Sequence, residues 1–459
     1  MHPTMRKGSR TISGVTPVAV MARPMPCPGS CVFCPTFDGS PKSYTPESPA
    51  VLRAIYCEYD PARQVESRIN ILARMGHPVD KVELIIMGGT FLASPPEYQF
   101  DFIKSCYDAL NGHDSLSLEE AKRSNETAKY RCVGLCIETR PDWSSEDDVR
   151  RMLEFGTTRV ELGVQTLDDN IYRLVRRGHS SEDVASATAL LKRHGLKVYY
   201  HWMPGLPGST PSHDLELAKL LFDDDKYKPD GIKIYPTLVV AGTELEQWFL
   251  EGKYTPYSID EMVHLIADIK SAIPAYVRIP RVMRDMPTKY IVAGCRDLSL
   301  RSGVQEVMKS QGIQCRCTRC REYGHRRRAG GKIGEPALHR YDYDASGGKE
   351  IFLSYEDNSG TLFGLLRLRI GGGDIYPSLV REVHIFGSEV PIGEQDDLAA
   401  QHKGLGSALM KEAERIARDE FAIDRIAVIS GVGARDYFRR SFGYELEGCY
   451  MSKKLRSPV

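Results

Sequence analysis

Cys27, Cys31 and Cys34 stand in the run Pro24-Met25-Pro26-Cys27-Pro28-Gly29-Ser30-Cys31-Val32-Phe33-Cys34-Pro35, a C-x3-C-x2-C spacing. Thiolates this close let a short loop wrap a cubane iron–sulfur cluster, holding three irons and leaving one open. A structural zinc wants four ligands, and no neighbouring His or Cys completes this set. A second group, Cys315, Cys317 and Cys320, has C-x-C-x2-C spacing. Cys295 or His325 could supply its fourth tetrahedral ligand, and Cys295 would make the zinc site all-thiolate. A third chemistry lies in Gln401-His402-Lys403-Gly404-Leu405-Gly406, which opens an amphipathic stretch running to about Arg418. Free backbone N–H groups and the positive dipole end make such a turn an anion cradle. Gly404 and Gly406 let a phosphate approach where Cβ atoms would clash.

Charge adds a fourth signal. The whole chain balances 61 basic against 61 acidic residues. From Val277 to Gly330, however, 13 Lys or Arg face 4 Asp or Glu, a surplus of nine that ends in Arg326, Arg327 and Arg328. Such a stripe points to a polyanionic partner.

These residues need elements to position them. The length of 459 residues implies two or three domains, and 42% hydrophobic residues suffice for real cores. The first residues, with Arg6, Lys7 and Arg10, lack the apolar stretch of a secretory signal. No segment approaches a membrane span, so a cytoplasmic location is expected, where clustered cysteines argue for metals over disulfides. Apolar runs at Val18–Met21, Val82–Met87, Cys132–Glu138, Arg159–Val164, Lys197–Trp202 and Gly231–Tyr235 read as strands. Helical patterns lie between them, as in Pro61–Met75, Glu97–Leu110, Ser145–Phe155, Ser181–His194 and Thr210–Phe222. Strict βα alternation predicts a parallel sheet with helical crossovers, here a partial six-stranded barrel over 1–290. Active groups of β/α barrels sit at the C-terminal strand ends. The cysteine loop, Gly88-Gly89-Thr90, Glu138 with Arg140, and Gln165 all fall there. A basic, cysteine-bearing linker follows over 291–335. From 336 to 459 the pattern turns antiparallel: Glu350–Glu356, Thr361–Ile370 and Leu379–Phe386 precede the glycine turn and its helix, then come Arg425–Ser430, Arg435–Arg440 and a hairpin through Tyr444–Leu455.

With these signatures in place, the first part of the chain resembles the radical S-adenosylmethionine (SAM) superfamily. That resemblance implies a [4Fe-4S] cluster on Cys27, Cys31 and Cys34, whose open iron chelates SAM. It also implies SAM contacts at Gly88, Gly89 and Thr90, where the family commonly has Gly-Gly-Glu and this chain lacks the acid. Glu138, Arg140 and Gln165 are further candidates for cofactor binding. The last part resembles the GCN5-related N-acetyltransferases, an α+β fold, through the signature Q/R-x-x-G-x-G/A. That resemblance implies acetyl-CoA with its pyrophosphate on Gln401, Lys403, Gly404, Leu405 and Gly406. Its pantetheine would run along the strand at Ile385, and Tyr437 would protonate the departing thiolate.

The pair of domains resembles one family, the catalytic subunit of Elongator, through strings such as Leu353-Ser354-Tyr355-Glu356-Asp357 and Ser430-Gly431-Val432-Gly433-Ala434-Arg435-Asp436-Tyr437. The implied activity is carboxymethylation of the tRNA wobble uridine at C5, with acetyl-CoA as two-carbon donor and an adenosyl radical as hydrogen abstractor. A stand-alone or homo-oligomeric enzyme served by an external electron donor is expected. The linker then offers Arg316, Arg319, Arg321, Arg326, Arg327 and Arg328 to the anticodon arm, with Tyr323 or His325 for stacking and base-edge contacts. The competing function is a protein (histone) lysine acetyltransferase that keeps the barrel as scaffold. The basic linker weighs against it, because a cationic substrate prefers an acidic approach.

Overall fold

A computed structural model describes residues 11–297, 299–371, 375–387 and 404–455. Six strands form one sheet in the order β1-β2-β3-β4-β5-β6: Thr16–Met21, Lys81–Met87, Arg131–Thr139, Arg159–Gln165, Lys197–Trp202 and Gly231–Ile234. Every neighbouring pair is parallel. The crossover helices start where the chain supplies caps. Ser145 and Ser180 form capping boxes with Asp148 and Asp183, and Thr210 caps a helix with Pro211 in its first turn, the position where a missing N–H costs nothing. Their apolar faces bury Val149, Met152, Val184 and Leu191 against the strands.

A short pair, β7 (Val239–Val240) with β8 (Ile291–Ala293), closes the region after β6. Two helices absent from the sequence reading, Ile259–Ala272 and Leu300–Ser310, pack there. The remaining strands are β9 (Ala337–Ala345), β10 (Gly348–Glu356), β11 (Leu362–Ile370), β12 (Ser378–Ile385), β13 (Arg425–Val428), β14 (Glu445–Glu447) and β15 (Tyr450–Lys454). They form a mixed sheet ordered β14-β15-β13-β12-β11-β10-β9. Only β12 and β13 pair in parallel, over two register positions, Leu379 with Ala427 and Val380 with Val428. Helix Leu405–Arg415 covers one face of this sheet, burying Leu409, Met410 and Ala413.

The other face is set against the N-terminal ends of the barrel strands. Arg381 on β12 donates to Leu196 O at 2.9 Å and to both carboxylate oxygens of Asp230, which precedes β6, at 2.9 and 2.6 Å. It also reaches Glu350 on β10 at 2.9 Å, and Glu350 in turn accepts from Arg369 at 2.9 Å. All four charged groups are buried. The loop after β13 presses on β3 so closely that a Cβ at Gly431 would stand 2.1 Å from Val133 O. The acetyltransferase-like sheet is therefore the floor of the barrel.

Candidate active site

The loop following β1 brings the three cysteines to the open end of the barrel, and all three thiols are free. Backbone N–H groups brace the loop: Cys34 donates to Cys31 O at 3.1 Å and Gly29 to Cys27 Sγ at 3.4 Å. Burial and the neighbouring Cys31 push the Cys34 thiol up to about 11. A metal would remove that proton, since ligating sulfur binds as thiolate. The surroundings fit an anionic cluster. Arg177 donates Nη1–H to Cys31 Sγ at 3.4 Å, and two buried guanidinium nitrogens, Arg177 Nε and Arg140 Nη1, have no partner.

The other strand ends converge on this loop. Gly88 and Gly89 turn with φ of +133° and +81°, placing Thr90 Oγ1 4.0 Å from Cys27 Sγ. Glu138 accepts from Tyr44 Oη at 2.8 Å and lies 3.5 Å from Lys233 Nζ. Gln165 holds φ of +75°, uncommon for a non-glycine, and its buried Oε1 has no partner. Strained backbone with an unspent acceptor is the pattern of a ligand site. Arg177 and Lys233 were missed in the sequence. The clue available for the first was the polar run Arg176-Arg177-Gly178-His179 after β4.

These groups line one cavity of about 530 Å³ that descends through the barrel to the second sheet. Cys27, Cys34, Thr90 and Gln165 line it at one end, and Arg367, Glu382, His384 and Phe386 at the other. Its interior carries several paired charges. Lys233 pairs with Glu161, His201 Nε2 lies 3.0 Å from the same carboxylate, and Lys197 meets Glu382 at 3.0 Å. Glu138, Glu161 and His201 bring ligand atoms within 4.8 Å of one another. Lys233 lies against both acids and Arg159 Nε stands 3.3 Å from Glu161, so the two carboxylates already have two cations beside them. Twelve Lys or Arg line the cavity against five Asp or Glu, a surplus of seven that suits an anionic occupant.

Strand β12 is the partition. Glu382, His384 and Phe386 face the cavity, while Val383 and Ile385 pack toward helix Leu405–Arg415. On that second face Gly404 sits in left-handed conformation, φ +71°, as the helix N-cap. A Cβ at Gly406 would stand 3.3 Å from Tyr437 Oη and 3.5 Å from Ile385 Cγ1. Ile385, Gly406 and Tyr437 thus meet at a helix N-terminus, with Leu405 buried beneath. Burial pushes the Tyr437 phenol up, although Ser407 opposes the shift. Gln401 and Lys403 lie outside the described residues.

The linker holds Cys315, Cys317 and Cys320 with their sulfurs within 4.8 Å of one another. Neither Cys295 nor His325 belongs to that group. Cys295 follows β8 and is buried in the same core that Cys317 enters and Cys315 and Cys320 pack against. Among the arginines, Arg316, Arg327 and Arg328 are exposed, and Arg326 donates to Ser359 O at 3.0 Å. Arg319 lines the cavity, where burial and Arg301 hold its guanidinium down at about 10. Arg321 is different: its donors are spent on Arg316 O and Ala275 O at 2.8 Å and on Glu356 at 2.5 Å. It anchors the linker instead of facing a partner. No described helix is long and apolar enough to cross a membrane.

Residues 26–221 match the radical SAM superfamily, 229–310 the radical SAM C-terminal domain and 323–444 the acetyltransferase (GNAT) family. The chain is 61% identical to a Dehalococcoides mccartyi protein named tRNA uridine(34) acetyltransferase, over 98% of this chain and all of that one. It is 43% identical to human Elongator complex protein 3, over 98% of this chain and 86% of the relative. A solved structure of archaeal Methanocaldococcus infernus Elp3 with an N-terminal deletion superposes with a TM-score of 0.86 at 45% identity. That match covers 97% of this chain and 100% of the archaeal one.

Proposed function

The chain belongs to the family of the tRNA uridine(34) acetyltransferases and Elongator complex protein 3, and from that premise we propose that it modifies uridine 34 of tRNA with a two-carbon unit from acetyl-CoA. The product is read as 5-carboxymethyluridine. The observation that carries this reading is the single cationic cavity bounded by the cysteine loop at one end and by β12 at the other. That strand carries the Gly404–Gly406 turn on its other face, so both chemistries are built against one wall.

When bound, a [4Fe-4S] cluster and SAM supply a 5′-deoxyadenosyl radical able to take hydrogen from an acetyl methyl group. The chain's own residues do the rest. Cys27, Cys31 and Cys34 hold the cluster. Arg177, buried and aimed at the loop, suits the carboxylate of SAM, and Gln165 and Glu138 offer acceptors to its hydroxyls. The turn at Gly404–Gly406 receives the CoA pyrophosphate. Tyr437, a phenol protonated at neutral pH, donates its proton to the CoA thiolate. One water attacks the thioester carbonyl and supplies the second oxygen of the carboxylate as CoA leaves.

Arg316, Arg319 and Arg326 to Arg328 take the phosphates of the anticodon arm, while Cys315, Cys317 and Cys320 hold a zinc ion that stiffens that surface. A low-potential one-electron donor serves the cluster. A protein lysine is the disfavoured acceptor, because a chamber with seven surplus cations repels an ammonium. Anaerobic incubation with tRNA, SAM, acetyl-CoA and reductant, followed by nucleoside mass analysis, tests the reading. A carboxymethyl mass on uridine 34 that requires all four components is expected, and its absence overturns the proposal.

A further inference from the structure

Arg140, which follows β3, is 4% exposed and held in a fixed fork. Its Nε and Nη2 donate to the two oxygens of Asp142 at 2.8 and 2.7 Å. Asp142 is backed by the buried ring of His179, whose Nδ1 lies 3.7 Å away. The third nitrogen, Nη1, is buried without a partner. A charged donor left so costs more than a neutral one, and it is aimed at the middle of the cysteine loop. A Cβ on Gly29 would stand 2.1 Å from Arg140 Nη1 and 3.7 Å from Cys31 Sγ. On the other side a Cβ on Gly178 would be 3.0 Å from Nη2. Two glycines therefore make room for one guanidinium, whose unpartnered Nη1 lies against Gly29, between Cys27 and Cys31 in the loop.

We propose that Arg140 is a positioning residue that donates Nη1–H to a sulfur of the bound cluster and raises the cluster's reduction potential. The inference rests on the cysteine loop being a cluster site. Reduction adds one electron and no proton, so three thiolates and a cubane gain a full negative charge. A rigid cation hydrogen-bonded to sulfur favours that reduced state, and hydrogen bonds and net charge are what set cluster potentials. Arg177 also touches Cys31, but its other partner is the carbonyl of Gly163 and it lacks a carboxylate fork. Arg140 is locked, so its contribution is permanent and independent of SAM.

The test is potentiometric titration of the anaerobically reconstituted full chain, without SAM, followed by electron paramagnetic resonance. Bound iron and SAM affinity are measured in parallel. Arg140→Gln should lower the midpoint by at least 59 mV, a tenfold loss of electron affinity for one electron, with full iron loading and SAM affinity within twofold. Asp142→Asn, which frees the fork, should lower it less, and Arg140→Lys should fall between the two. An unchanged midpoint in iron-loaded Arg140→Gln overturns the proposal. So does an unchanged midpoint accompanied by a tenfold loss of SAM affinity, which would assign Arg140 to SAM. If Arg140→Gln takes up no iron, unchanged midpoints in both other variants overturn it. A wild-type chain that takes up no iron would instead sink the functional reading above.

Discussion

At the scale of single residues, the chemistry rests on groups whose replacement has separable effects. Changing Cys27, Cys31 and Cys34 together to Ala should abolish bound iron and nucleoside modification while leaving acetyl-CoA affinity intact, because the thiols lie at the opposite end of the cavity from β12. Iron analysis beside calorimetry checks this. Tyr437→Phe should keep acetyl-CoA affinity within about twofold and slow CoA release by 10²-fold or more, the usual share of a general acid. Burial around the half-exposed Tyr437 raises its phenol above the ordinary tyrosine value, so a proton proposed to leave from it is lost only above that range. The alkaline limb of the wild-type pH–rate profile should therefore lie above that range and vanish in the Phe variant. The cysteines and glycines were legible in the sequence because their chemistry is local. Arg177 was not, since it meets Cys31 across 146 positions of chain, and only the barrel's closure brings them together.

Among elements, helix Leu405–Arg415 places its first turn against β12 and Tyr437 with little space to spare. Gly406→Val should weaken acetyl-CoA binding at least tenfold, because its side chain would enter the space between Tyr437 Oη and Ile385. SAM affinity should be unchanged, and equal acetyl-CoA affinity in the variant would remove this turn from the acyl-CoA site. The six barrel strands could be read in advance because each is a short apolar run buried in a parallel sheet. Strand β9 could not. Seven of its nine residues are exposed, with only Tyr343 and Ala345 buried, so it carries no alternating signal. Its pairing with β10 and the stacking of Tyr343 on Tyr276 at 4.1 Å supply what its own sequence lacks. The fourth metal ligand is a matter of spatial and not chain proximity: spacing shows which cysteines are neighbours in the chain, and Cys295, brought in after β8, shares a core with Cys315, Cys317 and Cys320.

For the whole molecule, the joint between barrel and second sheet is held by buried charge. Although burial pushes the Asp230 carboxyl up, Arg381 and Arg367 hold it far below the usual range. A depressed folded pKa adds stability that is fully present above the unfolded carboxylate value and is lost as pH falls toward the folded one. Arg381→Ala strands Asp230 and Glu350 in the interior and should cost about 3–5 kcal/mol by chemical denaturation. A loss under ~1 kcal/mol would show the joint to be held by packing instead. On the outer surface, Arg327→Glu with Arg328→Glu should weaken tRNA binding and reduce its salt slope by about 0.7–0.9 per lost phosphate contact. Acetyl-CoA affinity is the control, and an unaltered slope would move the RNA elsewhere. The partition β12 has a consequence for how such a chain can vary. From Glu382 to Ile385 its even and odd residues serve different neighbours, so a single residue inserted or deleted there would exchange the wall of one compartment for that of the other. The two halves are thus not interchangeable modules joined by a tether. A foreign acetyltransferase domain grafted in place of this one would leave the barrel without a floor, and the two catalytic histories are bound to be inherited together.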